Sequence, residues 1–147
     1  MTIGPAGAHV VFTPNANFCA STSFSYTLNG GSSATVSITM TCSNDAPNAV
    51  GTLANQSYPE GTLVSLGTAA GFADVDGDAL TYTATGLPAS VAIGLNDGNI
   101  GGTVLAADIG VHNVTVTARD PSLAQATQSF TLTVTALPAA IFGDGFE

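Results

Sequence analysis

Side chains that alternate between apolar and polar limit what this chain can fold into more than any other feature of its sequence. The alternation runs through residues 23–28 and, after a turn that contains two glycines, through residues 36–40. A period of two places successive side chains on opposite faces of a β-strand. Two such runs around a Gly-Gly turn predict a β-hairpin. Its apolar members are Phe24, Tyr26, Leu28, Val36, Ile38 and Met40.

A second hairpin is predicted further along the chain. Residues 114–118 and 130–134 show the same alternation on either side of a turn at residues 120–122. The two hairpins are about 90 residues apart, a spacing that fits tandem sandwiches of immunoglobulin size. In such sandwiches the last two strands form a hairpin of this kind.

The fold class that follows is all-β, with an immunoglobulin-like antiparallel β-sandwich. Residues 49–136 are predicted to form a complete sandwich, with strands near 62–68, 79–85, 89–94, 110–119 and 126–136. Residues 1–43 offer only a strand at 8–13 and the first hairpin, so we expect the C-terminal half of a related repeat, a partial sandwich. Residues 44–48 would be a linker and residues 137–147 a tail that ends in Phe-Gly-Asp-Gly-Phe-Glu.

The charge of the chain restricts its partners. The net charge is −9, from ten acidic side chains and a single base, Arg119. One arginine cannot neutralise phosphates or anionic lipids, so we expect no nucleic acid partner. No run approaches the roughly 20 apolar residues of a membrane-spanning helix. The first residues lack a signal-peptide pattern, which predicts a piece of a longer chain.

The two cysteines, Cys19 and Cys42, flank the first hairpin almost symmetrically. Strict alternation would place them on opposite faces, so a bulge near Ala20 and Ser21 would be needed to bring the sulfurs together. We predict a disulfide across the base of the hairpin, worth about 3 kcal/mol in the chain-entropy picture. Two buried free thiols are the alternative. The spacing is not that of a zinc or redox site.

Residues 74–78, Asp-Val-Asp-Gly-Asp, place three carboxylates within five positions. Such groups repel one another unless a cation or solvent relieves them, and calcium prefers carboxylate oxygens. The EF-hand pattern fails, because Ala79 stands where the loop needs glycine and Thr85 where it needs glutamate. Ordinary Asx-type turn chemistry remains the alternative explanation for these aspartates.

Four segments together resemble a cadherin-like repeat: residues 44–48 its linker signature, 58–62 its Pro-Glu-Gly-Thr segment, 73–82 its Asp-x-Asp motif before a Tyr-bearing strand, and 117–120 its late aspartate. Their order and spacing suit one repeat. Residues 86–90, 97–103 and 114–117 look like the dystroglycan-type cadherin-like branch, the Putative Ig domain, of bacterial surface proteins. Residues 1–43 resemble the second half of a related tandem repeat.

The resemblance implies a calcium site at the junction between repeats. The linker would contribute Asp45 and Asn48, the early turn Asp74 and Asp76, and the late turn Asp120. Asp78 is a further candidate ligand. Glu60 would serve the opposite end of its own domain.

No catalytic motif is present in the sequence. His9 and His112 fall within predicted strands, and Asp97 and Asp108 read as isolated loop carboxylates. We therefore expect a non-enzymatic, calcium-binding structural and adhesion module of a larger secreted or surface bacterial protein, which contacts other proteins or copies of itself. The alternative is a carbohydrate-binding or spacer module of a secreted polysaccharide-degrading enzyme.

Overall fold

The computed structural model describes residues 2–3, 10–28 and 30–138, and the chain divides into two units, Met1–Asn44 and Asp45–Glu147. Strands dominate both units. The only helical segments in the described ranges are 3₁₀ turns at Ala69–Gly71 and Ala106–Asp108, and none there is long and apolar enough to cross a membrane. His9 and the final Phe-Gly-Asp-Gly-Phe-Glu segment lie outside the described residues.

The first unit contains the predicted hairpin. Strand β3 (Ser21–Thr27) pairs antiparallel with β4 (Ser33–Thr39), and Phe24 lies opposite Val36. Of the strand predicted at residues 8–13, the structure describes residues 10–13, and among these Val10–Val11 form β2, which pairs with β1 (Thr2–Ile3). Residues 12 and 13 are not in a strand.

A disulfide joins Cys19 and Cys42, with 4.8 Å between their Cα atoms. This confirms the predicted bond. The predicted bulge is not part of the ladder, because β3 and β4 pair in one unbroken register from Ser21–Thr39 onward. Both cysteines lie beyond that ladder in irregular backbone, which removes the constraint that strict alternation would impose on their side chains.

The second unit is a sandwich of two sheets, which confirms the predicted fold class. One sheet has the order β6-β13-β12-β9 and the other β10-β11-β7. Pairing among the described strands is antiparallel except between β6 and β13, which run parallel. The strands are β6 (Gln56–Pro59), β7 (Leu63–Gly67), β9 (Thr81–Thr85), β10 (Val91–Ile93), β11 (Asn99–Thr103), β12 (Gly110–Arg119) and β13 (Gln125–Thr135), with a short pair, β5 (Asn48–Ala49) and β8 (Phe72–Ala73), beside them.

Alternation along the two longest strands builds the core. On β12 the buried side chains occupy every second position from Val114 to Ala118, and on β13 from Phe130 to Val134. They meet apolar side chains from the facing sheet, among which Ile100 is fully buried. The remaining core members are Val64, Phe72, Tyr82, Val91, Val104, Val116 and Leu132.

Two strands of the sandwich, β6 and β11, were not predicted, because their sequences lack the alternation of apolar and polar residues. Strand β11 contains one large apolar residue, Ile100, followed by Gly101 and Gly102, so it shows no alternation. Gly102 is required by its surroundings: its φ is +139°, and a Cβ there would overlap the carbonyl oxygen of Ser90. Strand β6 ends in Pro59, which cannot donate to a ladder and therefore weakens a strand prediction.

Strand β13 runs from one end of the sandwich to the other. Its first residue lies beside the turn that follows Asp120, since the Asp120 N–H donates to the carbonyl of Ala124 at 3.1 Å. Its last residue, Thr135, accepts a hydrogen bond from the N–H of Glu60 at 2.8 Å. Eleven residues of strand lie between them, a length of about 37 Å.

Candidate metal centre

The acidic turn between β8 and β9 is closed by its own first aspartate. The Oδ1 atom of Asp74 accepts hydrogen bonds from the backbone N–H groups of Asp76 at 2.9 Å and Asp78 at 3.3 Å. Gly77, with φ +78°, provides the left-handed backbone that this turn needs. As a result, one carboxylate oxygen from each of Asp74, Asp76 and Asp78 lies within 4.8 Å of the others.

The second oxygen of Asp74 is the most informative atom of this cluster. Oδ2 of Asp74 is buried and has no hydrogen-bond partner. Buried polar atoms in folded proteins are almost always paired, and an unpaired one costs about 1–3 kcal/mol, more when it is charged. A cation bound at this atom would supply the missing partner.

The linker reaches the same turn. Asn48 on β5 pairs with Ala73 on β8, the residue before Asp74. Upstream of that pair, the backbone N–H of Asp45 donates to Oδ2 of Asp76 at 2.7 Å. The Asn48 side chain is exposed, and the structure gives it no contact with the three carboxylates.

Asp120 lies near this acidic turn, where its negative charge acts on Asp78. It follows β12, whose last residue, Arg119, pairs with Thr81 at the start of β9. Asp120 is only 3% exposed, and its Oδ1 accepts a hydrogen bond from the N–H of Ala124 at 2.8 Å. The register of β9 and β12 thus brings Asp120 close to Asp78, three residues before Thr81.

The pKa of Asp78 is shifted by burial and by this crowding of carboxylates. Partial burial raises the pKa of Asp78 above its usual value of 3.8, and the negative charges of Asp74, Asp76 and Asp120 raise this pKa further. Each of these causes disfavours the ionised carboxylate. A bound cation would reverse the effect, because it favours the ionised form of every carboxylate around it.

Glu60 lies away from this cluster. It is at the other end of β13, where its Oε1 accepts a hydrogen bond from the N–H of Leu137 at 3.1 Å. In this position it holds the segment that leaves the sandwich. The structure thus brings the carboxylates of Asp74, Asp76 and Asp78 together. It joins the backbone of Asp45 to Asp76, places Asp120 near Asp78 and places Glu60 at the opposite end.

One carboxylate was misread from the sequence. Asp108 is not an isolated loop residue: it is 6% exposed, and its Oδ2 accepts hydrogen bonds from Ser90 Oγ and, at 2.8 Å, from the N–H of Leu105. These hydrogen bonds lower the pKa of Asp108, with a smaller contribution from His112. An aspartate that accepts a hydrogen bond from the N–H of a turn's N-cap residue forms one half of a capping box. Leu105 has no side-chain oxygen to form the other half, so the usual Ser or Thr signal is missing from the sequence.

The Ser90–Asp108 hydrogen bond links two turns of the sandwich. It joins the turn before β10 to the turn before β12, at the end of the sandwich that holds Glu60. The His112 Nε2 atom lies 2.8 Å from the Asp108 backbone carbonyl oxygen, so this ring nitrogen contacts main chain and not the serine hydroxyl.

The chemistry that the acidic cluster can perform follows from its donor atoms. Its available ligands are carboxylate and backbone oxygens, which suit hard cations that take six to eight oxygens at about 2.3–2.6 Å. The residues present therefore fit calcium, with Asp74, Asp76 and Asp78 as the side chains that would hold it. Asp120 is near enough to influence the charge of Asp78.

Comparisons with known proteins agree on the fold. The family described as Putative Ig domain matches residues 46–135. Mouse cadherin-23 repeats EC22–24 are 15% identical with a TM-score of 0.53, over 71% of this chain and 36% of that one. Drosophila N-cadherin EC1–4 is 16% identical with a TM-score of 0.52, over 70% and 27%. An endo-fucoidan hydrolase from glycoside hydrolase family 107 is 23% identical with a TM-score of 0.52, over 85% and 20%.

These likenesses are to parts of larger proteins. The chain spans between one fifth and about one third of the solved chains named above. No curated protein matches the sequence. The family match covers most of the chain and coincides with the sandwich. The chain therefore belongs to the Putative Ig domain family.

Proposed function

We propose that this chain is a non-catalytic, calcium-binding structural and adhesion module of a larger secreted or surface protein. The observation that carries the proposal is the buried, unpartnered Oδ2 of Asp74 inside a cluster of aspartates. Calcium bound there would tie the linker, the early turn and the late turn of the sandwich together. It would thereby stiffen the entry of the chain into its sandwich.

Two further observations support an extracellular setting. The Cys19–Cys42 bond is of a kind that persists in oxidising compartments. Extracellular calcium is abundant enough for sites of modest affinity, with dissociation constants of about 10⁻⁴ to 10⁻³ M, to be occupied. Cadherin ectodomains share the sandwich fold, which agrees with an adhesive role.

Calorimetric titration with calcium is the direct test of the metal site. We expect a binding heat for calcium, a much weaker one for magnesium, and a higher melting temperature in calcium than in chelator. At a calcium concentration 100 times the dissociation constant, the added stability is about 2.7 kcal/mol. An identical melting temperature in calcium and in chelator, with no binding heat, would overturn the calcium proposal.

A pair of matched variants locates the site. Asp74→Asn keeps the Oδ1 acceptor of the turn and replaces only the orphaned oxygen, so we expect calcium affinity to fall at least about tenfold, or 1.4 kcal/mol. Asp97→Asn is the same chemical change in another turn, where Asp97 Oδ1 accepts the N–H of Asn99 at 3.1 Å. This control should leave the affinity unchanged, and equal losses in both variants would contradict the assignment.

The alternative function is a spacer or carbohydrate-binding module of a polysaccharide-degrading enzyme. It is favoured by one finding, the likeness of 85% of this chain to part of an endo-fucoidan hydrolase chain. Sedimentation of the chain with insoluble polysaccharide tests carbohydrate binding. Retention that competes with soluble fucoidan and survives chelation would favour this function over the adhesive one.

A further inference from the structure

The three carboxylates of the acidic turn are held in place in different ways. Asp74 accepts the backbone N–H groups of Asp76 and Asp78 on its Oδ1, so the turn itself fixes this side chain. Asp78 is partly buried, whereas Asp76 is exposed. An exposed side chain moves among rotamers in solvent, and a metal ligand loses that freedom when the ion binds. Asp76 is therefore the candidate ligand whose position depends most on support from outside the turn.

The linker provides this support. Strands β5 and β8 pair antiparallel, with Asn48 opposite Ala73. The same register, continued three positions beyond Asn48, places Asp45 opposite Asp76. There the backbone N–H of Asp45 donates to Oδ2 of Asp76 at 2.7 Å. This distance is typical of hydrogen bonds to a charged acceptor, which are stronger than those between neutral groups.

The hydrogen bond from the linker uses only one of the two oxygens of Asp76. A carboxylate accepts on both oxygens, so Asp76 can receive the Asp45 N–H on Oδ2 and offer Oδ1 to a cation. A cation keeps the neighbouring carboxylate ionised, and an ionised acceptor strengthens the hydrogen bond that it receives. The linker and the cation therefore favour each other through one side chain.

The carboxylate of Asp45 has a different position from its backbone. The three carboxylates of the turn lie within 4.8 Å of one another, and in the described part of the chain no set of three within this distance includes Asp45. Burial raises the pKa of Asp78, and Asp45 is not among the neighbouring charges that raise it further. The structure thus connects Asp45 to the cluster through its main chain.

We propose that Asp45 is a positioning residue of the cation site: its backbone N–H holds the carboxylate of Asp76 in place for calcium, and its own carboxylate is not a ligand. The inference rests on the calcium binding of the proposed function and gives that binding a route to the linker. Coupling between two interactions is reciprocal. The N–H of Asp45 therefore raises calcium affinity by the same factor by which calcium tightens the attachment of the linker.

Two substitutions at position 45 separate the backbone from the side chain. Asp45→Pro removes the N–H, whereas Asp45→Ala keeps the N–H and removes the carboxylate. In calorimetric titrations we expect Asp45→Pro to bind calcium about tenfold more weakly than the parent, and Asp45→Ala to stay within about twofold of it. Sodium chloride at about 0.15 M screens the distant charge of Asp45 in these titrations.

Amide hydrogen exchange, followed by NMR, tests the same coupling without a change at position 45. In the parent we expect the Asp45 amide to be protected in chelator and to exchange at least about fivefold more slowly in saturating calcium. Asp76→Ala should remove this protection under both conditions. The Val50 amide, which donates to the carbonyl of Gly71 at 2.8 Å just after β5, is the internal control. Its exchange in chelator should be the same in the parent, in Asp76→Ala and in Asp45→Pro.

Two results would overturn the inference alone. One is a loss of calcium affinity in Asp45→Ala as large as that in Asp45→Pro, which would make the carboxylate the ligand. The other is an Asp45 amide whose exchange does not change in Asp76→Ala. A parent chain without any binding heat would overturn the calcium site and this inference together. That case is recognised by an Asp45 amide that still depends on Asp76 but exchanges equally in calcium and in chelator.

Discussion

At the scale of single residues, the pKa values of two aspartates are shifted in opposite directions. Partial burial and the neighbouring carboxylates raise the pKa of Asp78, whereas hydrogen bonds from Ser90 and Leu105 lower the pKa of Asp108 in spite of its burial. The charge of Asp78 therefore costs folded-state stability near neutral pH, and that of Asp108 contributes to it.

Replacing Asp78 by Asn should have effects of opposite sign in the absence and in the presence of calcium. In chelator, Asp78→Asn removes a repelled charge, and we expect a higher melting temperature than that of the parent. In saturating calcium the same change removes an oxygen ligand, and the melting temperature should fall below that of the parent. Calorimetric melts of both proteins under both conditions measure this, and a shift of the same sign in each would contradict a ligand role.

Asp108 should govern part of the acid sensitivity of the sandwich. Its folded pKa lies below the ordinary value of 3.8, so its stabilising contribution is complete above that value and is lost as the pH falls through the folded pKa. Asp108→Asn should therefore melt below the parent at neutral pH, and the difference should shrink in acid. Melting temperatures of the two proteins against pH test this, and a constant difference would exclude the carboxylate as its source.

At the scale of elements, strands were predictable where one face alone is buried. Alternation located β3, β4, β12 and β13, and Gly110–Arg119 was predicted to the residue. Strand β11 could not be found, because its backbone approaches Ser90 closely and selects glycine there, which removes the side chains that alternation needs. The sequence alone does not show that the backbone of Ser90 and that of Gly102 lie so close together.

The two glycines of β11 should tolerate alanine very differently. Gly102→Ala places a Cβ against the Ser90 carbonyl at a φ of +139°, and we expect a loss of about 1–3 kcal/mol in the free energy of unfolding. Gly101→Ala meets no atom closer than 3.6 Å and should be nearly neutral or slightly stabilising. Denaturant melts of both variants compare them, and equal losses would refute the packing explanation.

The acidic cluster could be predicted from the sequence only in part. Local spacing brings Asp74, Asp76 and Asp78 into one turn, and the resemblance to cadherin-like repeats suggested Asp45 and Asp120. Which of two oxygens on one carboxylate stays without a partner depends on packing and hydrogen-bond directions. The orphaned Oδ2 of Asp74 could therefore be identified only from three-dimensional structure.

At the scale of the whole molecule, charge imbalance should make stability depend on ionic strength. Ten acidic side chains face a single base, so folding brings like charges together. In chelator, sodium chloride should raise the melting temperature of the chain, and the increase should be smaller once calcium is bound, since the cation neutralises part of the repulsion. Melts across a salt series with and without calcium test this, and a fall in melting temperature with salt would contradict it.

The parallel pairing of β6 with β13 has a mechanical consequence. The linker enters the sandwich at the end that holds the acidic turn, and the chain leaves β13 at the end that holds Glu60. Tension applied to the two ends would slide β6 along β13, because these strands run in the same direction. The hydrogen bonds between Gln56–Pro59 and the last residues of β13 would then bear the load together in shear. A domain connected in this way resists extension with all of those bonds at once, whereas a hairpin pulled from its open end would release them one after another.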